Sequence, residues 1–429
     1  MGVQEKSRKI TLYTVLQSII LVVKFFDQNG LLSYASACSF DFLFSVIPIL
    51  MLIVSVLVRV LHASPEMIES LFETIPQLKE YIEANSVIEA ISSFNFINFF
   101  EIFLVVFIVW MARRFFASTF VAMKRVFLTQ QKRKVVFNQI LAVVFEFIII
   151  LAASILIILF FSLKTILTLP VFHGISQLDF IFNGFLAGQF VKFLPNILIF
   201  IAITLLYLIA SGTKPSLKLC AVSGFLCTFS FWIFRFFLHL FINVNKYNLI
   251  YGVLGQFIIM FMDIFFFFVF LLFFAQYIFI FQFFDDLLLG ELYLLSKKNI
   301  SGKAANIYRK IFLSPDFLTA KYKNLVDYKK GRLILEEGTV PECAYYVTSG
   351  CAEFINEKTG VRKFLPTGAF FCDVECVLNE PLLNQCKVYS DCQLFCVSRQ
   401  TLLLLIEKNP LVAQKLLEEK ICQSLYDIK

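Results

Sequence analysis

Five ionisable side chains stand where charge is expensive. Asp41, Glu146, Arg235, His239 and Asp263 each interrupt a run made almost wholly of Phe, Leu, Ile, Val and Ala. A charge in such a run is costly unless it is paired or meets water, so each marks a structural ion pair or a path for a substrate or proton. Arg235 and Asp263 have opposite sign, and a contact between them is the expected pairing. His239 follows Arg235 by one helical turn, on the same face. Other chemistry is poorly served. The three His are scattered, and the 11 Cys include no C-x-x-C pair, so no zinc site is expected. The chain also lacks a paired-Asp motif, a Ser/Lys or Ser/His arrangement at defined spacing, and a zincin helix, so no enzymatic activity is expected.

The elements that hold these charges follow from composition. Of 429 residues, 59% are hydrophobic and only 16% charged, and 55 are Phe. Mean hydropathy is +0.80. That balance excludes an ordinary soluble enzyme and a disordered chain, and points to lipid as the solvent. A spanning helix needs roughly 20 apolar residues. Six stretches qualify, at 42–61, 94–112, 137–161, 193–210, 219–244 and 252–281. An earlier run, 10–24, is short and broken by Gln17, which predicts an interfacial helix. Bases cluster at Lys6, Arg8 and Lys9, at Arg113 through Lys134, and at Lys214 and Lys218, whereas six Glu lie between Glu66 and Glu89. By the positive-inside rule the expected fold is a polytopic α-helical bundle of six transmembrane helices with both termini in the cytoplasm. The expected partners are membrane lipids; the basic loops are explained by topology and anionic lipid, and no nucleic acid is expected.

Several local patterns then resemble one family. Residues 32–51 read LSYASACSFDFLFSVIPILM, with Ser45-x-x-Pro48 inside; Ala122-Met123-Lys124-Arg125, Gly224 and Tyr251-Gly252-x-x-Gly255 follow in order. This is similar to the six-span YihY/BrkB virulence-factor family, over roughly residues 10–290. The resemblance implies a fold in the bacterial cytoplasmic (inner) membrane and a suspicion of transport, but no agreed activity. The chain departs from the pattern at Lys124, at Asp263, and at Gln276, where an acid is the family's choice.

After about Gly290 the composition changes. Short alternating runs at 332–335, 344–347, 352–355, 361–365 and 394–397 are separated by Gly331, Gly338, Gly350 and Gly368, and predict a small β-roll closed by helices at 401–407 and 411–425. The segment Tyr328–Gly338, then Tyr345–Gly350, then Leu365–Phe371 is similar to cyclic-nucleotide-binding domains. The expected division is 1–290 for the membrane domain, 291–314 for a linker and 315–429 for the cytosolic domain. In that family a cassette supplies backbone N–H groups and an Arg for the cyclic phosphate, and a Glu for the ribose. Here Cys372 stands at the Gly position, Asp373 at the Glu position and Glu375 at a small apolar position. Asn384 or Gln385 stands where the Arg belongs, and Lys387 is the nearest cation. The resemblance therefore implies a degenerate domain that does not bind cyclic nucleotide, needs no cofactor, and regulates the membrane part or docks a protein partner. Its eight Cys are expected to be small core side chains rather than redox sensors, since cytosolic thiols stay reduced.

Overall fold

The computed structural model describes residues 12–59, 99–128, 151, 155, 199–241, 253–296, 311–312, 325–356 and 360–427. The chain divides into two compact units, residues 22–279 and residues 1–21 with 280–429.

Among the described residues the first unit holds α1 (Leu12–Gln28, of which residues 12–21 belong to the other unit), α2 (Leu31–Arg59), α3 (Phe99–Val126), α4 (Ile199–Ala210), α5 (Leu217–Phe241) and α6 (Val253–Gln282). Asn29 and Gly30 separate α1 from α2. Asn29 N–H closes the end of α1 on Phe25 O, and Gly30 takes a φ of +64° that a helix cannot continue. The two helices meet there at 67°. Pro48 sits inside α2, which runs on past it. The sequence places Arg113 and Arg114 in a connection, yet α3 continues as a helix to Val126. Phe115, Phe116, Thr119, Met123 and Val126 recur at helical spacing after the two arginines and are buried or half-buried, which carries the helix onward.

Helix α6 is apolar but for Gln256, Asp263, Gln276 and the terminal Gln282, and among the described helices it touches five neighbours. Phe273 meets Phe26 of α1, and Phe268 meets Phe42 of α2 and Phe115 of α3. Tyr207 of α4 donates to Leu271 O at 2.9 Å, and Phe234 of α5 lies 4.3 Å from Phe266. At Gly224 of α5 a Cβ would lie 2.7 Å from Thr204 Oγ1, so a bare backbone lets α4 and α5 close together. Two helices among the described residues are long and apolar enough to cross a membrane, Leu217–Leu238 and Ile258–Gln282, and the bent α1–α2 pair makes a third if counted as one broken span. The stretches expected at 42–61, 94–112 and 193–210 fall partly on α2, α3 and α4; the one at 137–161 lies outside the described residues but for 151 and 155.

The second unit holds α7 (Phe284–Ser296), six strands, and α8 (Asp373–Leu378), α9 (Arg399–Lys408) and α10 (Pro410–Asp427). Strands β1 (Leu325–Tyr328), β2 (Leu333–Leu335), β3 (Cys343–Ile355), β4 (Arg362–Pro366), β5 (Phe370–Phe371) and β6 (Gln385–Ser398) form one antiparallel sheet in the order β1-β6-β3-β4, with β2 on β6 and β5 on β3. Two of the predicted runs merge into β3. Gly350, expected at a turn, lies within that strand at φ +82°, where a Cβ would stand 2.1 Å from Asp391 O. The register shifts on either side of Ser349, so Gly350 marks a bulge.

Strand side chains alternate between two cores. Ala344, Tyr346, Phe370, Phe395 and Val397 pack with Leu289, Leu292 and Tyr293 of α7, Cys376 of α8, Leu402 and Leu405 of α9 and Val412 of α10. Val347, Phe371, Leu394 and Cys392 point the other way, into the roll, with Cys372, Leu382, Cys386 and Val388. Residues 291–296, placed by the sequence in a linker, are thus the second half of a helix in the first of these cores. Gly290 brings it close, since a Cβ there would touch Asn409 Nδ2 at 3.4 Å and Val412 at 3.6 Å.

Candidate functional site

Charges in the apolar helices come first. Asp41 of α2 is engaged by Arg114 of α3, whose Nε donates to Asp41 Oδ1 at 2.6 Å. One turn along, Ser45 Oγ donates to Met111 O at 2.8 Å, so two polar contacts tie α2 to α3. Arg235 of α5 and Asp263 of α6 approach to 3.8 Å through Nε and Oδ2. The pairs share one asymmetry. The acid is the covered member, with side chains 13% and 19% exposed, and the arginine the open one, at 48% and 53%. Phe42 and Phe115, next in sequence to Asp41 and Arg114, both pack on Phe268, so the first pair sits near the level of Phe268 on α6. Asp263 is five residues before Phe268, about 7 Å along the helix. The sequence does not single out Arg114 as the partner of Asp41, because it lies in a run of bases that a loop explains equally well. Glu146 lies outside the described residues, and His239 is helical, on α5. Gln276, at the position of the family's acid, is buried and accepts from Asn29 Nδ2 at 3.3 Å. Arg125 Nε donates to Asn29 O at 3.4 Å, in the same polar group at the α1–α2 bend.

In the β-roll the cassette folds into β5, Cys372 and α8. Cys372 takes a left-handed φ of 59° before the helix, which explains why a Gly suits that position; the thiol points into the roll core. Asp373 goes to the other side. It is buried, and its Oδ2 accepts from the Tyr293 hydroxyl of α7 at 2.6 Å. Burial chiefly, and then the Asp373 charge, hold the Tyr293 hydroxyl well above its ordinary pKa, so it stays a donor. The far end of α8 is also held. Arg399 of α9 donates to Asn379 Oδ1 at 2.9 Å and to Val377 O at 3.2 Å, and Lys420 of α10 pairs with Glu380. The cassette helix is thereby latched by side chains from three other helices.

Among the described residues the remaining cassette positions bring an acid and two amides rather than an arginine. Glu375 adds a second acid to the first turn of α8, which opposes an anion there. Asn384 is half-buried, with Oδ1 lacking a hydrogen-bond partner among the described residues. Gln385 is buried opposite Ile355, and Lys387 lies in register with Glu353, which is itself 3.8 Å from Arg362. Burial pushes the Cys376 thiol up to about 11 and Cys386 up to about 12, and raises Cys372 further. These thiols are therefore poor nucleophiles at neutral pH. Among the described residues no group of three His, Cys, Asp or Glu gathers as a metal site.

The model of the virulence factor BrkB family matches residues 22–283, more than half of the chain. The chain belongs to that family. The cyclic nucleotide-binding domain model matches residues 325–409 behind it. So this is a BrkB-family membrane protein fused to a cyclic nucleotide-binding-like domain. No curated protein matches the chain. Solved structures similar to part of it include the Thermus thermophilus catabolite activator protein, 22% identical over 27% of this chain and 57% of that one, with a TM-score of 0.22. The sensor domain of the transcriptional regulator DNR from Pseudomonas aeruginosa is 21% identical over 35% of this chain and 94% of its own, with a TM-score of 0.24. A cyclic nucleotide-binding-like protein from Brucella abortus is 18% identical over 19% and 74%, with a TM-score of 0.18.

Proposed function

We propose that this BrkB-family protein moves or handles a lipidic or small amphiphilic molecule in the bacterial cytoplasmic membrane. It is a six-span bundle with both termini inside, and its cytosolic β-roll regulates it without cyclic nucleotide. The observation that carries the reading is the pair of Asp–Arg contacts between helices otherwise built of Phe, Leu and Ile. Charges at such depth are retained against a cost of a few kcal/mol each, and they typically line a substrate or ion route. No catalytic chemistry is assigned. The test is reconstitution of the full chain in vesicles, with transbilayer movement of headgroup-labelled lipids as readout. Movement above protein-free vesicles, reduced in Asp263→Asn and Asp41→Asn, is expected; rates equal to empty vesicles overturn the reading.

A second reading has its own observation. The three-helix latch on α8 suits a fixed docking domain, and so a membrane scaffold whose roll binds a protein partner. A stoichiometric partner that co-purifies with the full chain and is lost on deletion of residues 315–429, with no lipid movement, would favour it.

A further inference from the structure

The geometry points to Arg114 as the receptor for the anionic headgroup of an amphiphile, with a phosphate or carboxylate seated on the outward edge of its guanidinium. This rests on the amphiphile reading above and specifies the chemical class. Among the described residues Arg114 is gripped from one side, by Asp41 through Nε at 2.6 Å. A guanidinium has five N–H donors in a planar fork, so the Nη1 and Nη2 edge is left for a second partner. An acid that fixes the orientation while a bidentate edge faces out is what recognition of a planar or tetrahedral oxyanion requires.

The surroundings fit an amphiphile rather than a bare ion. Arg114 is 12 residues before the end of α3 at Val126, about 18 Å along the helix from its basic Lys124–Arg125 terminus. Its guanidinium carbon lies 6.0 Å from the centre of the exposed Phe40 ring. Trp110, one turn before it on the same face, is 57% exposed. A charged edge beside the exposed Phe40 ring, with an exposed Trp one turn along the helix, offers contacts to a headgroup and to the chain attached to it. The neighbourhood of the other pair is similar in one respect: Trp232, one turn before Arg235, is 54% exposed. The only two tryptophans of the chain thus each accompany one of these arginines.

Trp110 supplies the probe. In the full chain carrying Trp232→Phe, reconstituted in vesicles, Trp110 fluorescence is titrated with brominated phosphatidylglycerol or brominated phosphatidylcholine at equal mole fraction. One cation's attraction for an anionic lipid predicts about fivefold enrichment of the anionic quencher at Trp110. Arg114→Lys keeps the charge without the fork and is expected to lose part of that preference; the Asp41→Asn/Arg114→Gln double variant leaves no unpaired buried acid and is expected to lose all of it. Equal quenching by both lipids in the Arg114 protein, or an unchanged preference in the double variant, overturns the proposal. Inorganic phosphate separates the sources: a preference that survives it assigns the site to lipid, and one abolished at low millimolar phosphate assigns it to a free anion and overturns the amphiphile. Enrichment without lipid movement leaves the site standing and refutes only transport, whereas movement without enrichment refutes only the site.

Discussion

Replacing Tyr293 by Phe removes one hydroxyl and keeps the ring in its place against Phe370, 5.1 Å away and edge-on. What is lost is the donor to Asp373 Oδ2, a 2.6 Å contact between two buried groups. A hydrogen bond to a charged group contributes about 1.5–3 kcal/mol, and a buried carboxylate left short of a donor carries the desolvation cost itself. Taking about 2 kcal/mol, the equilibrium for lifting α8 off the roll shifts by about thirtyfold. Cys376 reports that opening, because it is fully buried on α8 and burial holds its thiol up to about 11. In the full chain, pulsed maleimide labelling read by mass spectrometry should modify Cys376 about thirtyfold faster in Tyr293→Phe. Cys422, which is exposed, should label at an unchanged rate. In an Asp373→Asn background the same Tyr293→Phe change should cost much less, since its charged partner is gone. A Cys376 rate within twofold of the parent's in Tyr293→Phe would refute the latch.

Three further outcomes follow from the same geometry. Gly350→Ala must place a Cβ into Asp391 O at a φ of +82°; the roll should lose at least about 2 kcal/mol in chemical denaturation, and a loss under about 0.5 kcal/mol would contradict the bulge. Cys376 and Cys386 are held neutral by burial, at about 11 and about 12. Their contribution is therefore intact below the ordinary thiol range, near pH 8.5, and drains away as pH climbs through the folded values. Thermal stability of the roll should fall between about pH 9 and pH 12, and Cys386→Ala should flatten that fall. Calorimetry of the full chain with cyclic AMP or cyclic GMP should show no binding; a micromolar affinity would overturn the degenerate cassette.

Much of this is legible in the sequence, and the rest depends on tertiary context. Arg235 and Asp263 could be paired on paper because each is a lone charge in an apolar run, and opposite charges in lipid seek each other. Asp41 needed Arg114, which hid among Arg113, Lys124 and Arg125 because a basic cluster reads equally well as a cytoplasmic loop. The roll was visible in its alternating strands, but Gly350 looked like a turn, since a positive φ is common to turns and bulges. Helix α7 was invisible as a part of the roll. Its sequence, FDDLLLGELYLLS, continues the apolar trend of the span before it, and only tertiary packing shows that Leu289, Leu292 and Tyr293 fill a core with β3, α9 and α10. The missing cassette Arg was plain from the sequence. That Asp373 is already committed to Tyr293 was not, because its partner lies 80 residues away.

The most direct test of the central claim is a structure of the full chain by electron cryo-microscopy in lipid nanodiscs. The account predicts a cleft between the helices into which Arg114 and Arg235 open, with lipid or water density reaching both. A bundle sealed around Asp41, Arg114, Arg235 and Asp263, with no cleft and no lipid at either arginine, would contradict it.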